Sequence, residues 1–487
     1  MRPARPVPRS SRSPFAQSRR HGHVTSQQEH FVSSTTSIHG MWSSRLAFIL
    51  AATGSAVGLG NIWRFPYTAG EYGGGAFVLV YLLCVAAIGL PIMMAEIMLG
   101  RRGRQSPINT MRALARDEGV SPIWQLLGWM GILAGFLILS FYSVIAGWTL
   151  GYVFRAGSGQ FADVDAGAAE TMFSALVADP ERLLAWHTIF MVMTVLVVAR
   201  GVASGLERAV RWLMPALFVL LVVMVIYAAQ AGDFAAGLEY MFYPDFAELG
   251  AHPGEAVLSA MGQAFFSLSL GMGAIMIYGS YLNSRASIGQ NAVIIATMDT
   301  LVALLAGMAI FPIVLANGLE PGSGPGLIFQ TLPIAFGQMP GGVLFGTAFF
   351  VLLVFAAWTS AISLLEPMVA WLVENRGFSR PRAAALGGSV VWLLGIACLL
   401  SLNVWSEVKI FGKGFLDLFD YVTANVLLPL GGVLIAIFAG WVMRRASSEH
   451  ELRLRSDGFA FGAWWLLVRF VAPAGVIVVF LRAIGLF

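Results

Sequence analysis

Charged residues are scarce in this chain. Asp, Glu, Lys and Arg together make up 11% of its 487 residues, whereas soluble globular proteins carry about 25%. Hydrophobic residues make up 57%, more than a soluble core can bury, because burial is limited by the ratio of surface to volume. The composition therefore excludes a soluble enzyme, a coiled coil and a fibrous protein, and it indicates a polytopic membrane protein.

Cysteine and the common catalytic motifs are also nearly absent. Cys84 and Cys398 are the two cysteines, and both lie in apolar runs, so neither a disulfide framework nor a cysteine-based metal site is expected. The chain has no HExxH motif, nucleophile elbow or P-loop, which argues against an enzyme and against ATP-driven transport. The net charge of +4 comes largely from arginines in the tail and loops. It indicates membrane orientation rather than nucleic-acid binding.

The first 40 residues differ from the rest of the chain. They contain six arginines among Ser, Pro, Gln and His, with few apolar residues, which predicts a disordered basic tail in the cytoplasm. They contain no apolar h-region of a signal peptide. An Arg- and Ser-rich transit peptide is the alternative.

Eleven apolar segments follow, each long enough to cross about 30 Å of hydrocarbon, for which roughly 20 helical residues suffice. These spans 1 to 11 cover residues 44–68, 76–100, 123–154, 184–200, 207–230, 256–282, 288–316, 341–373, 383–402, 416–443 and 461–484. The loops after even-numbered spans carry arginines, and those after spans 3 and 5 are acidic. The positive-inside rule then predicts a cytoplasmic N-terminus and an extracytoplasmic C-terminus.

Glycines crowd two of these spans. Gly54, Gly58 and Gly60 lie in span 1, and Gly271 and Gly273 lie in span 6. The two spans are five apart, so they cross the membrane in opposite directions. Helices broken at matching positions of two five-span halves are typical of inverted-repeat transporters with a site at the midplane. The alternative is that the glycines merely permit close helix packing.

A broken helix frees backbone carbonyls that suit a small cation such as Na⁺, and N–H groups that suit a carboxylate. Asn61, Ser267, Ser269, Thr359 and Ser360 add amide and hydroxyl oxygens on three spans. Together they predict a sodium cage. The alternative for each hydroxyl is a bond to a carbonyl of its own helix.

Ionisable residues inside spans are functional candidates by default. Glu96, Asp299, Glu366 and Asp420 lie in spans 2, 7, 8 and 10. For Glu96 and Glu366 the alternative is a structural carboxylate that satisfies broken backbone.

Residues 54–66, GSAVGLGNIWRFP, resemble the first-span signature of the neurotransmitter:sodium symporter family. The match covers roughly residues 41–485 and continues at 73–77, 148–151, 263–269 and 359–360. The resemblance implies an all-α membrane protein with a five-plus-five inverted repeat, the leucine-transporter fold that serves as a standard example of this architecture. Its first and sixth helices are broken, and an eleventh span is added. The transporter domain would cover residues 41–487, with repeats at about 44–230 and 256–443 and the last span at about 461–484.

The resemblance also implies a set of site residues. The first sodium would be bound by Ala56, Asn61, Ser267 and Asp299, together with the substrate carboxylate. The second sodium would be bound by Gly54, Val57, Ala356, Thr359 and Ser360. The substrate pocket would consist of Ser55, Leu59, Gly60, Ile138, Tyr142, Phe266, Ser269, Met272 and Ser360. Tyr142 and Phe266 would form an aromatic lid, Arg64 and Asp420 an outer ionic gate, and Glu374 part of the inner gate.

Three positions depart from relatives. Gly58 stands where monoamine transporters place an Asp, so the substrate should bring its own carboxylate. Asp299 stands where the leucine-type protein has Asn, and its charge is expected to replace the chloride that animal relatives require. His39 stands where many members have an Arg that closes the inner gate against an acid, which puts the pair of His39 and Glu374 in question.

The predicted function is sodium-coupled import of a neutral, hydrophobic or aromatic amino acid across the inner membrane, with two Na⁺ and no chloride requirement. The partners would be the amino acid and the lipid bilayer, without nucleic acid or an obligate protein partner. A proton-coupled transporter or exchanger on the same fold, using Glu96, Glu366 or Asp299, is the alternative. A sensor or scaffold that does not transport is a third class.

Overall fold

The computed structural model describes residues 37–319, 326–454 and 458–483. Of the predicted basic tail, positions 1–36 lie outside the described residues. In the described part, nine helices are long and apolar enough to cross a membrane, and a bent pair makes a tenth span. The nine continuous spans are Gly75–Gly103, Pro122–Gly157, Pro180–Ala199, Val202–Ala231, Ile288–Ala316, Gly342–Arg376, Arg380–Leu400, Phe415–Val442 and Phe459–Arg482. They are spans 2 to 5 and 7 to 11 of the sequence.

Span 1 is the bent pair. Its first half, Arg45–Ala56, begins after Ser44, whose side chain accepts a hydrogen bond from the backbone N–H of Ala47. Such an N-cap satisfies one of the donors that a helix start leaves free. The helix ends where Val57 turns to an extended conformation, and the second half, Gly60–Glu71, departs at an angle of 55°.

Span 6 is broken as well. Its halves are Pro253–Ser267 and Ala274–Ser280. Between them Gly271 and Gly273 have φ angles of 78° and 75°, and Ser269 has a φ of 54°. Glycine adopts this left-handed region without steric cost, which explains why the helix stops here. Both breaks therefore lie where the glycine pattern predicts them, and the packing alternative is wrong for these two spans.

The remaining helices connect the spans. They are Pro107–Asp117, Ala166–Val177, Phe234–Phe242, Phe246–Ala251, Leu327–Thr331 with Leu332–Gln338, and Arg445–Leu452. Within the spans, 83% of the most apolar window of span 3 is buried, but only 33% of that of span 11. Span 3 is therefore central, next to the broken helices, and span 11 is peripheral, with most of its apolar surface open to lipid.

Candidate functional site

A small cavity lies between the two breaks, with walls from spans 1, 3, 6 and 8. It is lined by Ser55, Ala56, Gly58, Ile138, Tyr142, Phe266, Ser269, Met272, Ser360 and Leu364. Seven of the predicted pocket residues are thus brought together. Leu364 was not predicted, although it follows Ser360 by four residues and so lies on the same face of span 8.

The predicted pocket residues Leu59 and Gly60 line a second cavity of ≈ 280 Å³, on the side of Arg64 and Asp420. Tyr142 and Phe266 line both cavities and therefore separate them. The inner cavity holds ≈ 20 Å³, which is room for about one water molecule. A ligand larger than a water molecule could thus occupy this cavity only if its walls moved, and the role of Tyr142 and Phe266 as a lid stays a prediction.

Backbone N–H groups of the break in span 1 are directed at this site. The N–H of Leu59 donates to Tyr142 Oη at 3.1 Å, and the N–H of Gly58 donates to Asn61 Oδ1 at 3.1 Å. A Cβ at Gly58 would lie 2.8 Å from both Tyr142 Oη and Ser360 Oγ. Both N–H groups are thus already paired within the protein, and there is no space for a side chain at position 58.

A first cluster of oxygen atoms joins spans 1, 6 and 7. Asn61 Nδ2 donates to Asp299 Oδ1 at 2.8 Å and to Ser267 Oγ at 3.0 Å, and Ser267 Oγ donates to Asp299 Oδ2. All three side chains are buried, and Ala56 ends the first half-helix beside them. Three of the four predicted ligands of the first sodium thus contact one another directly.

A second cluster joins spans 1 and 8. Ser360 Oγ lies 3.0 Å from Val57 O and 3.4 Å from Gly54 O. Thr359 Oγ1 lies 3.1 Å from Ala356 O, so for Thr359 the predicted back-bond within its own helix does occur. Oxygen ligands of one small hard cation lie roughly 3 to 3.5 Å apart, because each is about 2.4 Å from the ion. The oxygen atoms of Ser360, Val57 and Gly54 have spacings in this range, and the second sodium site stays a prediction.

Two buried carboxylates, Glu96 and Glu366, make hydrogen bonds and an ion pair within the protein. Glu96 accepts a hydrogen bond from the backbone N–H of Gly271 in the break of span 6. Glu366 accepts from Tyr281 Oη at 2.6 Å and forms an ion pair with Arg380. Both have the contacts expected of structural carboxylates.

The inner-gate position is occupied by a closed network. His39 Nε2 lies 2.9 Å from Glu374 Oε1, with 2% and 4% of the two side chains exposed. The other carboxylate oxygen accepts from Asn109 Nδ2 at 2.7 Å and from Ser106 Oγ. His39 and Glu374 thus contact each other directly, and their role as an inner gate stays a prediction.

The model of the sodium:neurotransmitter symporter family matches residues 39–163 and 178–487. The chain belongs to this family. It is 40% identical over 447 residues to YhdH, an uncharacterized sodium-dependent transporter of Bacillus subtilis, covering 91% of this chain and 98% of the relative. It is 45% identical to MhsT, whose crystal structure is in complex with L-phenylalanine, with a TM-score of 0.84 and coverage of 91% and 99%.

A more distant relative is the human sodium- and chloride-dependent GABA transporter 2, 25% identical over 451 residues, which cover 82% of this chain and 71% of the relative. These similarities confirm the predicted fold class and identify a sodium-dependent transporter of the family rather than an enzyme.

The two residues predicted to form an outer gate line one cavity without pairing. Arg64 and Asp420 line the same cavity, and no ion pair joins them in the part of the chain that the structure describes. The guanidinium carbon of Arg64 lies 5.8 Å from the ring centroid of Phe266. The charge of Arg64 is therefore placed directly over the aromatic lid.

If Arg64 and Asp420 close the outer gate together, Arg64→Lys and Asp420→Asn should each lower turnover while thermal stability stays close to wild type. No ion pair joins the two described residues in this conformation, so neither change breaks an ion pair that stabilises it. Lys also lacks the planar fork that binds a carboxylate bidentately. The double variant should lose clearly less than the sum of the single losses, since both changes remove one interaction. Strictly additive losses in uptake assays would show that the two residues act separately.

Proposed function

We propose that this protein imports a neutral amino acid with a hydrophobic or aromatic side chain, driven by sodium entry. The observation that carries the proposal is one cavity under an aromatic lid, bordered by two oxygen clusters. Ile138, Met272 and Leu364 give this cavity an apolar wall. The L-phenylalanine complex of MhsT supports a substrate of this class.

The polar end of the substrate follows from the break in span 1. Its N–H groups favour a carboxylate, and a sodium ion in the first oxygen cluster would supply a further positive partner. Gly58 offers no acid that could bind a bare amine. The proposed substrate is therefore a zwitterion with a free α-carboxylate.

We also propose two sodium ions per cycle, one in each oxygen cluster. Each Na⁺ that enters releases about 2.3 kcal/mol of free energy per 100 mV of membrane potential. At about 100 mV, two ions therefore support a substrate gradient on the order of 10³-fold from the potential alone. Sodium would favour the outward-facing conformation, and the substrate would complete the first ion's shell and close the lid. Coupling arises because the ligands bind the two conformations with different affinities.

The arginine pattern of the loops supports an inner-membrane location with the N-terminus in the cytoplasm and the C-terminus outside. Residues 37–40 precede span 1 at the His39–Glu374 end of the molecule. In this orientation the His39–Glu374 network closes the cytoplasmic side, and Arg64 and Asp420 face outward.

The deciding experiment is uptake of radiolabelled L-phenylalanine and other neutral amino acids into proteoliposomes. An inward sodium gradient should drive accumulation, and replacing Na⁺ by choline at constant pH should abolish it. Full uptake driven by a pH gradient without sodium would establish the proton-coupled alternative. Absence of both uptake and binding across the panel would indicate a sensor or scaffold.

The carboxylate requirement has its own test. Phenethylamine has the side chain of phenylalanine without the α-carboxylate, so it should not compete with L-phenylalanine for binding. Phenylpropionate, which keeps the carboxylate and lacks the amine, is the matched comparison. Strong competition by the amine would contradict the proposed orientation of the substrate.

A further inference from the structure

Arg469 is an arginine near the middle of span 11, Phe459–Arg482. A charge within a span is costly unless it is paired or reaches the membrane interface. Among the described residues, no carboxylate forms an ion pair with Arg469. Its Nε is buried and has no hydrogen-bond partner. The described part of the chain therefore leaves this guanidinium without an anion.

Aromatic rings hold the guanidinium in place. Its central carbon lies 4.1 Å from the ring centroid of Trp441, 5.7 Å from that of Trp465 and 5.6 Å from that of Phe470. Stacking on tryptophan favours a cation through the ring's electron-rich face. Trp441 Nε1 also donates to the carbonyl oxygen of Arg469 at 2.8 Å. Spans 10 and 11 are thus joined at this point.

The position of Trp441 indicates how deep in the membrane the guanidinium of Arg469 lies. Trp441 is the penultimate residue of span 10, Phe415–Val442, and Arg444 and Arg445 follow at once. The guanidinium therefore lies level with the end of span 10, where the chain leaves the hydrocarbon. Long arginine side chains commonly reach the interface in this way, and tryptophan is enriched at the same level.

The residues around Arg469 are exposed on the surface of the protein. Leu466, Phe470 and Trp441 expose 55%, 49% and 52% of their surface. Arg444 and Arg445, the neighbouring cations, already pair with Glu118 and Glu449. Arg469 thus supplies the unpaired positive charge on the surface between spans 10 and 11. We call this surface, formed by Trp441, Leu466, Arg469 and Phe470, the groove between spans 10 and 11.

We propose that the groove between spans 10 and 11 binds an anionic phospholipid, whose phosphate accepts hydrogen bonds from Arg469. The acyl chain would lie along the exposed surface of Leu466 and Phe470. Guanidinium and phosphate form a strong, charge-assisted pair, and at the headgroup level each basic residue favours anionic lipid. A bound lipid would then link span 10, which carries Asp420, to the peripheral span 11. This site is independent of the proposed substrate.

The test compares lipid binding by the purified full-length protein and its variants. Native mass spectrometry with added phosphatidylglycerol or phosphatidylcholine should show preferential retention of phosphatidylglycerol by wild type. Arg469→Gln should reduce that retention about fivefold. Arg482→Gln removes the same charge from the last residue of span 11 and should retain phosphatidylglycerol like wild type.

Arg469→Lys keeps the positive charge but loses the planar group that stacks on Trp441, so it should retain an intermediate amount of phosphatidylglycerol. This variant keeps the proposal testable if Arg469→Gln does not fold. Equal retention of phosphatidylglycerol by all variants would overturn the proposal. So would protection from thermal unfolding by inorganic phosphate equal to that by phosphatidylglycerol, because the site would then be one for soluble anions. Loss of a dimer in Arg469→Gln, seen by light scattering, would assign the groove to a second copy of the chain instead.

Discussion

Asp299→Asn should lower sodium-driven uptake at subsaturating sodium about 100-fold. The Asp299 carboxylate is the charged member of the first oxygen cluster, where it accepts from Asn61 and Ser267. Asparagine keeps the shape but removes the negative charge that compensates Na⁺. The measurement is the sodium dependence of initial uptake rates in proteoliposomes.

Asp233→Asn is the matched control. Asp233 caps the helix Phe234–Phe242 by accepting from the N–H of Ala236 at 3.1 Å, and asparagine caps a helix equally well. This variant should transport like wild type, which separates the loss of charge at the cluster from a general effect of the substitution.

Chloride provides the second arm of this experiment. Wild type should keep its rate when chloride is replaced by gluconate, because Asp299 provides the fixed charge. Residual uptake by Asp299→Asn should instead rise with chloride concentration. A wild-type protein that stops without chloride would contradict the assignment and would resemble the chloride dependence named for GABA transporter 2.

The broad architecture could be predicted from the sequence because apolar length and glycine position are local signals. The break near Gly271 is an example, since left-handed backbone is needed where Gly271 and Gly273 stand. The observed helix ends differ from the predicted ones by several residues, because polar ends such as Arg376 in span 8 remain helical beyond the apolar run.

Less of the candidate site than of the fold could be predicted from the sequence. Membership of one cavity depends on tertiary contacts, so Leu364 was not predicted, and Leu59 and Gly60 prove to line the outer cavity. Arg469 was not predicted either, because its main stacking partner, Trp441, lies on another span and is brought to it only by tertiary packing. An arginine amid Trp465 and Phe470 in the same span is a signal that could have found it.

Gly58→Ala should weaken binding of L-phenylalanine about 10- to 100-fold. The added Cβ would lie 2.8 Å from Tyr142 Oη and from Ser360 Oγ, so it must displace either the lid or the second oxygen cluster. The measurement is the dissociation constant at saturating sodium, by calorimetry or scintillation proximity.

Gly462→Ala is the control, because a Cβ there meets no described atom within 4 Å. It makes the same chemical change within a helix and should leave binding unchanged. Wild-type affinity in Gly58→Ala would show that the substrate does not occupy the small cavity.

The two breaks are tied to each other as well as to their ligands. Ser269 Oγ donates to Ser55 O at 2.7 Å, and Gln263 Nε2 donates to Gly60 O at 2.9 Å. Backbone atoms of one short segment of span 1 thus bind span 6 and also lie in both proposed ion sites and beside the proposed substrate pocket. By contrast, Ile138 and Leu364, on the unbroken spans 3 and 8, line the small cavity with apolar side chains that make no hydrogen bonds. Substitution of wall residues on the unbroken helices could therefore change the substrate specificity of this transporter during evolution. The proposed sodium coupling, which depends on the broken helices, would stay the same.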